Sequence, residues 1–306
     1  MAITAAQVKE LREMSGAGMM DCKKALTETN GDMDAAIEFL RKSGIMKAEK
    51  KAGRIAAEGL VRVAMDGDKK AAIVEVNSET DFVAKNEKFQ NYVEEVAAQA
   101  LSSNASDMDA FMAEAWNGDT SKTVKDVLTN QVATIGENLS IRRFEKVETD
   151  GIVVPYIHGG GRIGVIVEAA TDTINDAVKT IVKNVAMQVA AMRPKYTSRD
   201  EVPADYLEHE KQILIEQAKA EGSNKPENIL VKMVVGRLNK ELKEVCLLDQ
   251  AYIQDGDLTV AKYVDKAAKE AGASVQIKRF VRFETGEGIE KKEENFAEEV
   301  AKQMNV

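Results

Sequence analysis

The chain has 306 residues, of which 44% are hydrophobic and 30% charged, and its formal net charge is −9. This composition predicts a folded chain of about two domains rather than a disordered one. The acidic balance argues against broad nucleic-acid binding, which needs clustered Lys and Arg, and it favours a protein partner.

The sequence shows no pattern typical of a metal, cofactor or membrane site. Cys22 and Cys246 are too far apart to predict a zinc or redox pair, and His158 and His209 add no ligand spacing. No apolar run approaches the roughly 20 residues of a membrane span. The N-terminal segment is charged and amphipathic, unlike a secretory signal. We therefore expect a cytoplasmic protein with no cofactor and no resident metal.

The N-terminal region predicts a module of three helices. Thr4 is suited to cap the first helix, which Gly16 would end. Asp21 is suited to cap the second helix, and Ser43-Gly44 would close the third. The basic connector at residues 47–54 then predicts a solvated helical linker.

An internal duplication follows this module. In each copy, two strands joined by a glycine-containing turn come first, then helices, then a third strand, and the strands alternate as half-buried antiparallel strands do. Each copy ends in a phenylalanine followed by a Glu-Thr pair. The recurring segments are 58–61 with 150–153, 72–76 with 165–169, and 136–150 with 272–286.

These observations predict an α+β protein with a duplicated core. The second copy is longer than the first, and its extra residues predict an antiparallel helical hairpin. The expected units are a three-helix, ubiquitin-associated-like module at 1–54, copy one at 55–149, copy two at 150–288 with the hairpin at about 199–242, and a C-terminal helix at 289–306.

Two glycines separate the first two predicted helices, in the segment Leu11–Leu26. They would leave Met19 and Met20 at the tip of a loop. Unbranched thioether side chains suit an adaptable contact surface. The alternative is that both methionines cap the small core of the module, and periodicity alone does not separate the two.

The segment Glu75–Asn86 carries the strongest motif. Thr80 or Asp81 is suited to cap a helix beginning at Val83, which would place Phe82 at an exposed strand-to-helix corner. The alternative is a phenylalanine of the core. Copy two has no aromatic residue at this place, although its fold should be the same, so a requirement specific to copy one favours the exposed position.

Both segments resemble signatures of the elongation factor Ts family, and the resemblance extends over essentially the whole chain. It implies a non-enzymatic guanine-nucleotide exchange factor whose partner is elongation factor Tu, in a one-to-one or a two-to-two complex. In that family the corner disturbs the partner's Mg²⁺ site, a role that falls here on Thr80, Asp81, Phe82 and Val83. The implied partner contacts are Arg12, Met19, Met20, Lys23, Ile135, Gly136 and His158.

Three other patterns favour ordinary structure. Gly159–Gly164 follows a strand and precedes another strand, which predicts a hairpin turn and not a dinucleotide-binding loop. The basic pairs Arg142-Arg143 and Lys278-Arg279 predict charges at a sheet edge, with only one of each pair on a given face. The charge run at 290–299 predicts a solvated helix face.

One function of another class competes with exchange. The N-terminal module taken alone is equally typical of a ubiquitin-associated-like adaptor or scaffold that tethers an unrelated core. The remaining sequence shows no Ser/His/Asp set, no cysteine–histidine pair and no paired carboxylates in a cleft motif. The identity of a co-purifying partner would distinguish the two functions.

Overall fold

The computed structural model describes residues 3–220 and 227–290. It consists of helices and small antiparallel sheets, so the predicted α+β class is confirmed. Residues 221–226 of the expected hairpin and most of the C-terminal helix expected at 289–306 lie outside the described residues. Within the described part of the chain, no helix is long and apolar enough to cross a membrane.

The N-terminal module contains three helices around a small core. Leu11, Cys22 and Leu26 are fully buried in it. Thr4 caps the first helix as predicted, and Asp32 caps the third. The helices are α1 (Ala5–Ser15), α2 (Met19–Glu28) and α3 (Met33–Lys51).

Copy one forms a three-stranded antiparallel sheet of order β1-β2-β5. Helix α5 packs on one face of this sheet, because its residues at helical spacing are apolar and buried there. The elements are β1 (Glu58–Asp66), β2 (Lys70–Ser78), α4 (Asp81–Ala84), α5 (Glu87–Ser102), α6 (Met108–Ala113), β3 (Ala115–Trp116), β4 (Asp119–Thr123), α7 (Val124–Ile135) and β5 (Ser140–Glu148).

Copy two repeats this arrangement with the sheet order β6-β7-β10. In both sheets the central strand is the second strand of the hairpin, and the last strand pairs with it. The elements are β6 (Ile152–His158), β7 (Ile163–Thr171), α8 (Asp176–Met192), α9 (Ala204–Ala220), α10 (Glu227–Val245), β8 (Ala251–Tyr252), β9 (Asp255–Thr259), α11 (Val260–Glu270) and β10 (Val275–Glu284).

Helix α3 is longer than the sequence predicted. It does not close at Ser43-Gly44, and it includes most of the expected linker. Gly44 is buried where α3 crosses α7, and an added Cβ there would lie 3.4 Å from the Cβ of Ala133. The glycine therefore serves the close approach of two helices, and tertiary packing outweighs its intrinsic cost in a helix.

The two sheets pack against each other through their inner faces. Val61 and Ile73 of copy one share a buried cluster with Val153 and Ile166 of copy two. The central strand β2 is consequently buried on both faces from Ala71 onward, since α5 covers its other face. The prediction of half-buried strands is therefore wrong for β2.

A β-bulge recurs at the same place in both sheets. In copy one the register between β2 and β5 shifts at Arg142, and in copy two the register between β7 and β10 shifts at Lys278. A bulge places one extra residue on one strand and re-aims its side chain. Arg142 and Arg143 both reach the carboxylate of Glu75, at 3.0 and 2.6 Å. The prediction that one of the pair lies on each face is thus wrong, because strict alternation ends at the bulge.

The insertion in copy two is an antiparallel pair of helices, as predicted, in the part of it that the structure describes. Helices α9 and α10 pack against each other. At the base, Val202, Leu242 and Cys246 are buried together. Arg199 fixes this base to the copy-two core, because its Nε lies 2.6 Å from Oδ2 of Asp249.

Candidate functional site

The connection between β2 and α5 is a corner that contains one turn of helix, α4. Thr80 caps this turn, and its hydroxyl accepts a hydrogen bond from the Val83 amide at 3.3 Å. The helix begins at Asp81, two residues before the predicted start. Phe82 is 80% exposed, so its ring lies outside the core of copy one. Its backbone is fixed while its side chain projects into solvent.

The four residues of the corner face different ways. Val83 is half-buried and packs against the copy-one core, whereas Asp81 and Phe82 face outward. Lys85 Nζ donates to Asp81 Oδ2 at 2.7 Å and lies 6.0 Å from the centre of the Phe82 ring. This hydrogen bond holds the pKa of the Asp81 carboxyl below its usual value, so the corner presents an ionised carboxylate beside an apolar ring.

A carboxylate from the end of α7 supports the corner from behind. Glu137 Oε2 accepts from the amides of Glu79 and Thr80 at 3.1 and 3.0 Å, and Glu137 Oε1 accepts from Thr80 Oγ1 at 2.7 Å. The Asn138 amide donates to Glu79 Oε1 at 2.6 Å. The predicted contacts included Ile135 and Gly136 but not these two residues, although they follow directly in the same segment.

The N-terminal module lies against the same end of copy one. Lys51 Nζ, at the end of α3, donates to the carbonyl of Gly136. Gly136 ends α7 with a φ of 85°, which is why a glycine suits this position. Arg54 Nη1 lies 3.3 Å from Glu79 Oε1. The end of α3, the Ile135-Gly136 segment and the corner are therefore contiguous.

The predicted partner contacts in the N-terminal module all lie on the surface of the module. Arg12 and Lys23 are exposed, and Met19 and Met20 are 55% and 74% exposed, so neither methionine belongs to the module core. Met14, which was not among the predicted contacts, is also 59% exposed.

The helix start near these methionines differs from the prediction. Asp21 does not cap α2, since Gly18 occupies the cap position and the helix begins at Met19. Met19 and Met20 therefore occupy the first helical turn and not a loop tip. Asp21 instead pairs with Lys47 of α3 at 2.8 Å, which helps to hold α2 against α3.

His158 lies at the end of β6, at the hairpin turn that leads into β7. The turn is formed by Gly159–Gly161 between antiparallel strands, as predicted. The Tyr156 hydroxyl and His158 Nδ1 are 3.0 Å apart. Arg62 of β1 donates to the carbonyl of Gly160 at 3.3 Å. Copy one thus fixes the turn that presents His158, while the imidazole itself remains exposed.

These features share one character. Most of them are apolar or charged side chains that project from the surface on backbone held by caps and hydrogen bonds, which is typical of a protein-contact surface, whereas Val83 and Ile135 pack against the copy-one core. Among the described residues, no group of three or more His, Cys, Asp or Glu is arranged to hold a metal ion.

Comparison with known proteins identifies the family of the chain. The family model described as elongation factor TS matches residues 79–287, which include the corner, β5 of the first sheet and the whole second sheet. Elongation factor Ts of Clostridioides difficile (strain 630) is 56% identical over 306 residues, covering 99% of each chain. Elongation factor Ts of Trichlorobacter lovleyi (strain ATCC BAA-1151 / DSM 17278 / SZ) is 50% identical over 307 residues, covering 98% of each.

Because sequence identity of this extent covers nearly the full length, the chain is a translation elongation factor. The chain belongs to the elongation factor Ts family.

Proposed function

We propose that this protein is a guanine-nucleotide exchange factor that binds the GDP form of elongation factor Tu and promotes release of GDP and loading of GTP. The observation that carries the proposal is Phe82, whose ring is 80% exposed on a corner of fixed backbone. A large aromatic side chain in this setting is suited to enter a groove of a partner protein.

The proposed mechanism requires no bond-making chemistry. A GTPase holds GDP through phosphate contacts and a bridging Mg²⁺. Thr80, Asp81, Phe82 and Val83 form a wedge that enters the partner beside this metal and displaces it. Because linkage is reciprocal, a factor that weakens GDP binding must itself bind more weakly when GDP is present. GTP loading then completes the cycle by releasing the factor.

The other surface residues hold the partner while the wedge acts. Met19 and Met20 offer apolar area on the module, and Arg12 and Lys23 add positive charge beside them. Ile135 and Gly136 adjoin the wedge, and His158 reaches a separate part of the partner from copy two. The protein acts in the cytoplasm, where translation takes place, and it requires no cofactor of its own.

The direct test is release of fluorescently labelled GDP from elongation factor Tu, with and without this protein, in the presence of excess unlabelled nucleotide. Acceleration at substoichiometric concentration supports exchange, since one factor then acts on many GTPase molecules. Equal rates with and without the protein would reject the proposal.

An adaptor function remains the competing proposal of another class, because the first module is ubiquitin-associated-like. Co-purification separates the two. A GTPase that leaves the complex when GDP is added supports exchange, since nucleotide and factor compete through linkage. A ubiquitin-like partner that is insensitive to GDP supports the adaptor.

A further inference from the structure

The carboxylate of Glu137 accepts three hydrogen bonds from the two residues that begin the corner. It is half-buried, and its two carboxylate oxygens receive two backbone amides and one hydroxyl, all from Glu79 and Thr80. A carboxylate can only accept, so the Thr80 hydroxyl must donate its proton to Glu137. The lone pairs of that hydroxyl are then free to accept the Val83 amide, which caps α4.

Copy two has the same fold but no helical turn at the corresponding corner, so it can be compared with copy one position by position. The repeat aligns Glu137 with Ala273 and Asn138 with Ser274. The backbone hydrogen bond of Asn138 is preserved in copy two. The Asn138 amide donates to the Glu79 carboxylate, and the Ser274 amide donates to the Asp172 carboxylate in the same way.

The helix that follows the strand begins differently in the two copies. In copy two, Asn175 caps α8 directly, three residues after Asp172. In copy one, α4 intervenes before α5. The carboxylate of Glu137 is therefore found in the copy that carries the additional turn and is replaced by a methyl group in the other.

We propose that Glu137 is a positioning residue for exchange: its carboxylate fixes the amides that begin the corner and so sets the aim of the Phe82 ring. The inference rests on the exchange function proposed above. Because Phe82 is mostly exposed, its own contacts hold it weakly, and the direction of the ring depends on the backbone beneath it.

The first measurement is GDP release from elongation factor Tu with Glu137→Ala, Glu137→Gln and Glu137→Asp. The alanine variant should slow stimulated release by about tenfold, the equivalent of one charge-assisted hydrogen bond. Glutamine keeps an oxygen acceptor at the same reach and should retain most of the activity. Aspartate keeps the charge but is one methylene shorter, and it should fall between the two.

The matched control is Glu114→Ala. Glu114 also accepts a backbone amide of copy one, that of Asn104 at 3.2 Å, but it lies outside the corner. This variant should exchange at the wild-type rate. Equal slowing in both alanine variants would overturn the positioning role, because it would show that loss of any such carboxylate impairs the protein.

A double-mutant cycle with Phe82→Ala tests whether Glu137 acts through the ring. In the Phe82→Ala background, Glu137→Ala should slow release little further. If the two losses multiply, Glu137 acts independently of Phe82 and the inference is wrong.

Hydrogen exchange of the full-length protein supplies a measurement that does not depend on activity. The Glu79 and Thr80 amides should lose protection in Glu137→Ala and keep it in Glu114→Ala. Unchanged protection would overturn the inference. If wild-type protein fails to stimulate GDP release, the proposed function fails, while the protection of these amides still decides whether Glu137 fixes the corner.

Discussion

Copy one and copy two share the backbone features that form their sheets. Gly59 and Gly151 open the aligned strands β1 and β6, and an added Cβ at either would lie 2.2 or 2.1 Å from a carbonyl oxygen of the neighbouring strand. After the second strand, Ser78 and Thr171 each donate a hydroxyl to the carbonyl two residues on. The bulge recurs as well.

The two copies differ in the elements that each adds to this shared sheet and helix arrangement. Copy one adds the turn α4 with Phe82 and the carboxylate of Glu137, and copy two adds the hairpin of α9 and α10. Shared positions satisfy backbone geometry and burial, which are the same in both copies. The additions satisfy no need of the shared fold, and of the two we expect partner contacts at the corner of copy one.

The largest expected effect concerns Glu75, which lies at 0% exposure between two arginines. Its counterpart Glu168 is 16% exposed and pairs with Arg279. Glu75→Ala should cost about 2–4 kcal/mol of unfolding free energy, because it leaves the buried Gly286 amide without its acceptor and removes the carboxylate that two partly exposed arginines share. Glu168→Ala should cost about 1 kcal/mol. Urea denaturation measures both, and equal losses would show that the two carboxylates are equivalent.

The next effect is on exchange. Phe82→Ala should slow GDP release by about tenfold or more, as loss of a central contact residue does. Its stability should change by no more than about 0.5 kcal/mol, because the ring is exposed. Stopped-flow release of fluorescent GDP, with magnesium and with a chelator, is the measurement.

If Phe82 acts on the metal site, the difference between wild type and Phe82→Ala should shrink once Mg²⁺ is removed. The control is Asn175→Ala in copy two, which removes a helix cap at the aligned turn and should leave exchange unchanged. Equal release rates for wild type and Phe82→Ala in magnesium would remove the wedge from the mechanism.

A smaller effect is expected at the module. Met19→Ala and Met20→Ala should each weaken partner binding by about 1 kcal/mol, with little change in stability. Leu26→Ala, at a buried position of the same helix, should instead cost about 2–5 kcal/mol of stability. Titration calorimetry with the nucleotide-free partner and thermal unfolding of the full chain separate the two. A large fall in melting temperature for either methionine variant contradicts its contact role.

The smallest effect is expected for the hairpin. Copy one folds without it, so replacing residues 208–237 by a short glycine-rich linker should leave the fold and the exchange rate unchanged. The shortened chain keeps Val202, Leu242 and Cys246, which form the buried base. Circular dichroism and GDP release test this, and loss of exchange with intact folding would make the hairpin part of the partner surface.

The sequence by itself determined the features that depend on local pattern. The duplication, the strand–turn–strand order, a cap at Thr80 or Asp81 and the helical insertion could be found from periodicity, glycine placement and repetition, because each arises from neighbouring residues. The exposure of Phe82 was also predictable, from its presence in one copy alone. The division of the chain at residues 54, 149 and 288 stays a prediction, as do the partner contacts.

Tertiary structure decided what depends on distant neighbours. Gly44 continues a helix because α7 lies against it, and β2 is buried on both faces because the second sheet covers it. Arg142 and Arg143 reach one carboxylate because a bulge interrupts the alternation. Glu137 supports the corner although 57 residues separate it from Thr80. Local pattern sets each segment's preferred conformation, but burial and hydrogen-bond satisfaction are properties of the packed chain, and at these positions they outweigh the local preference.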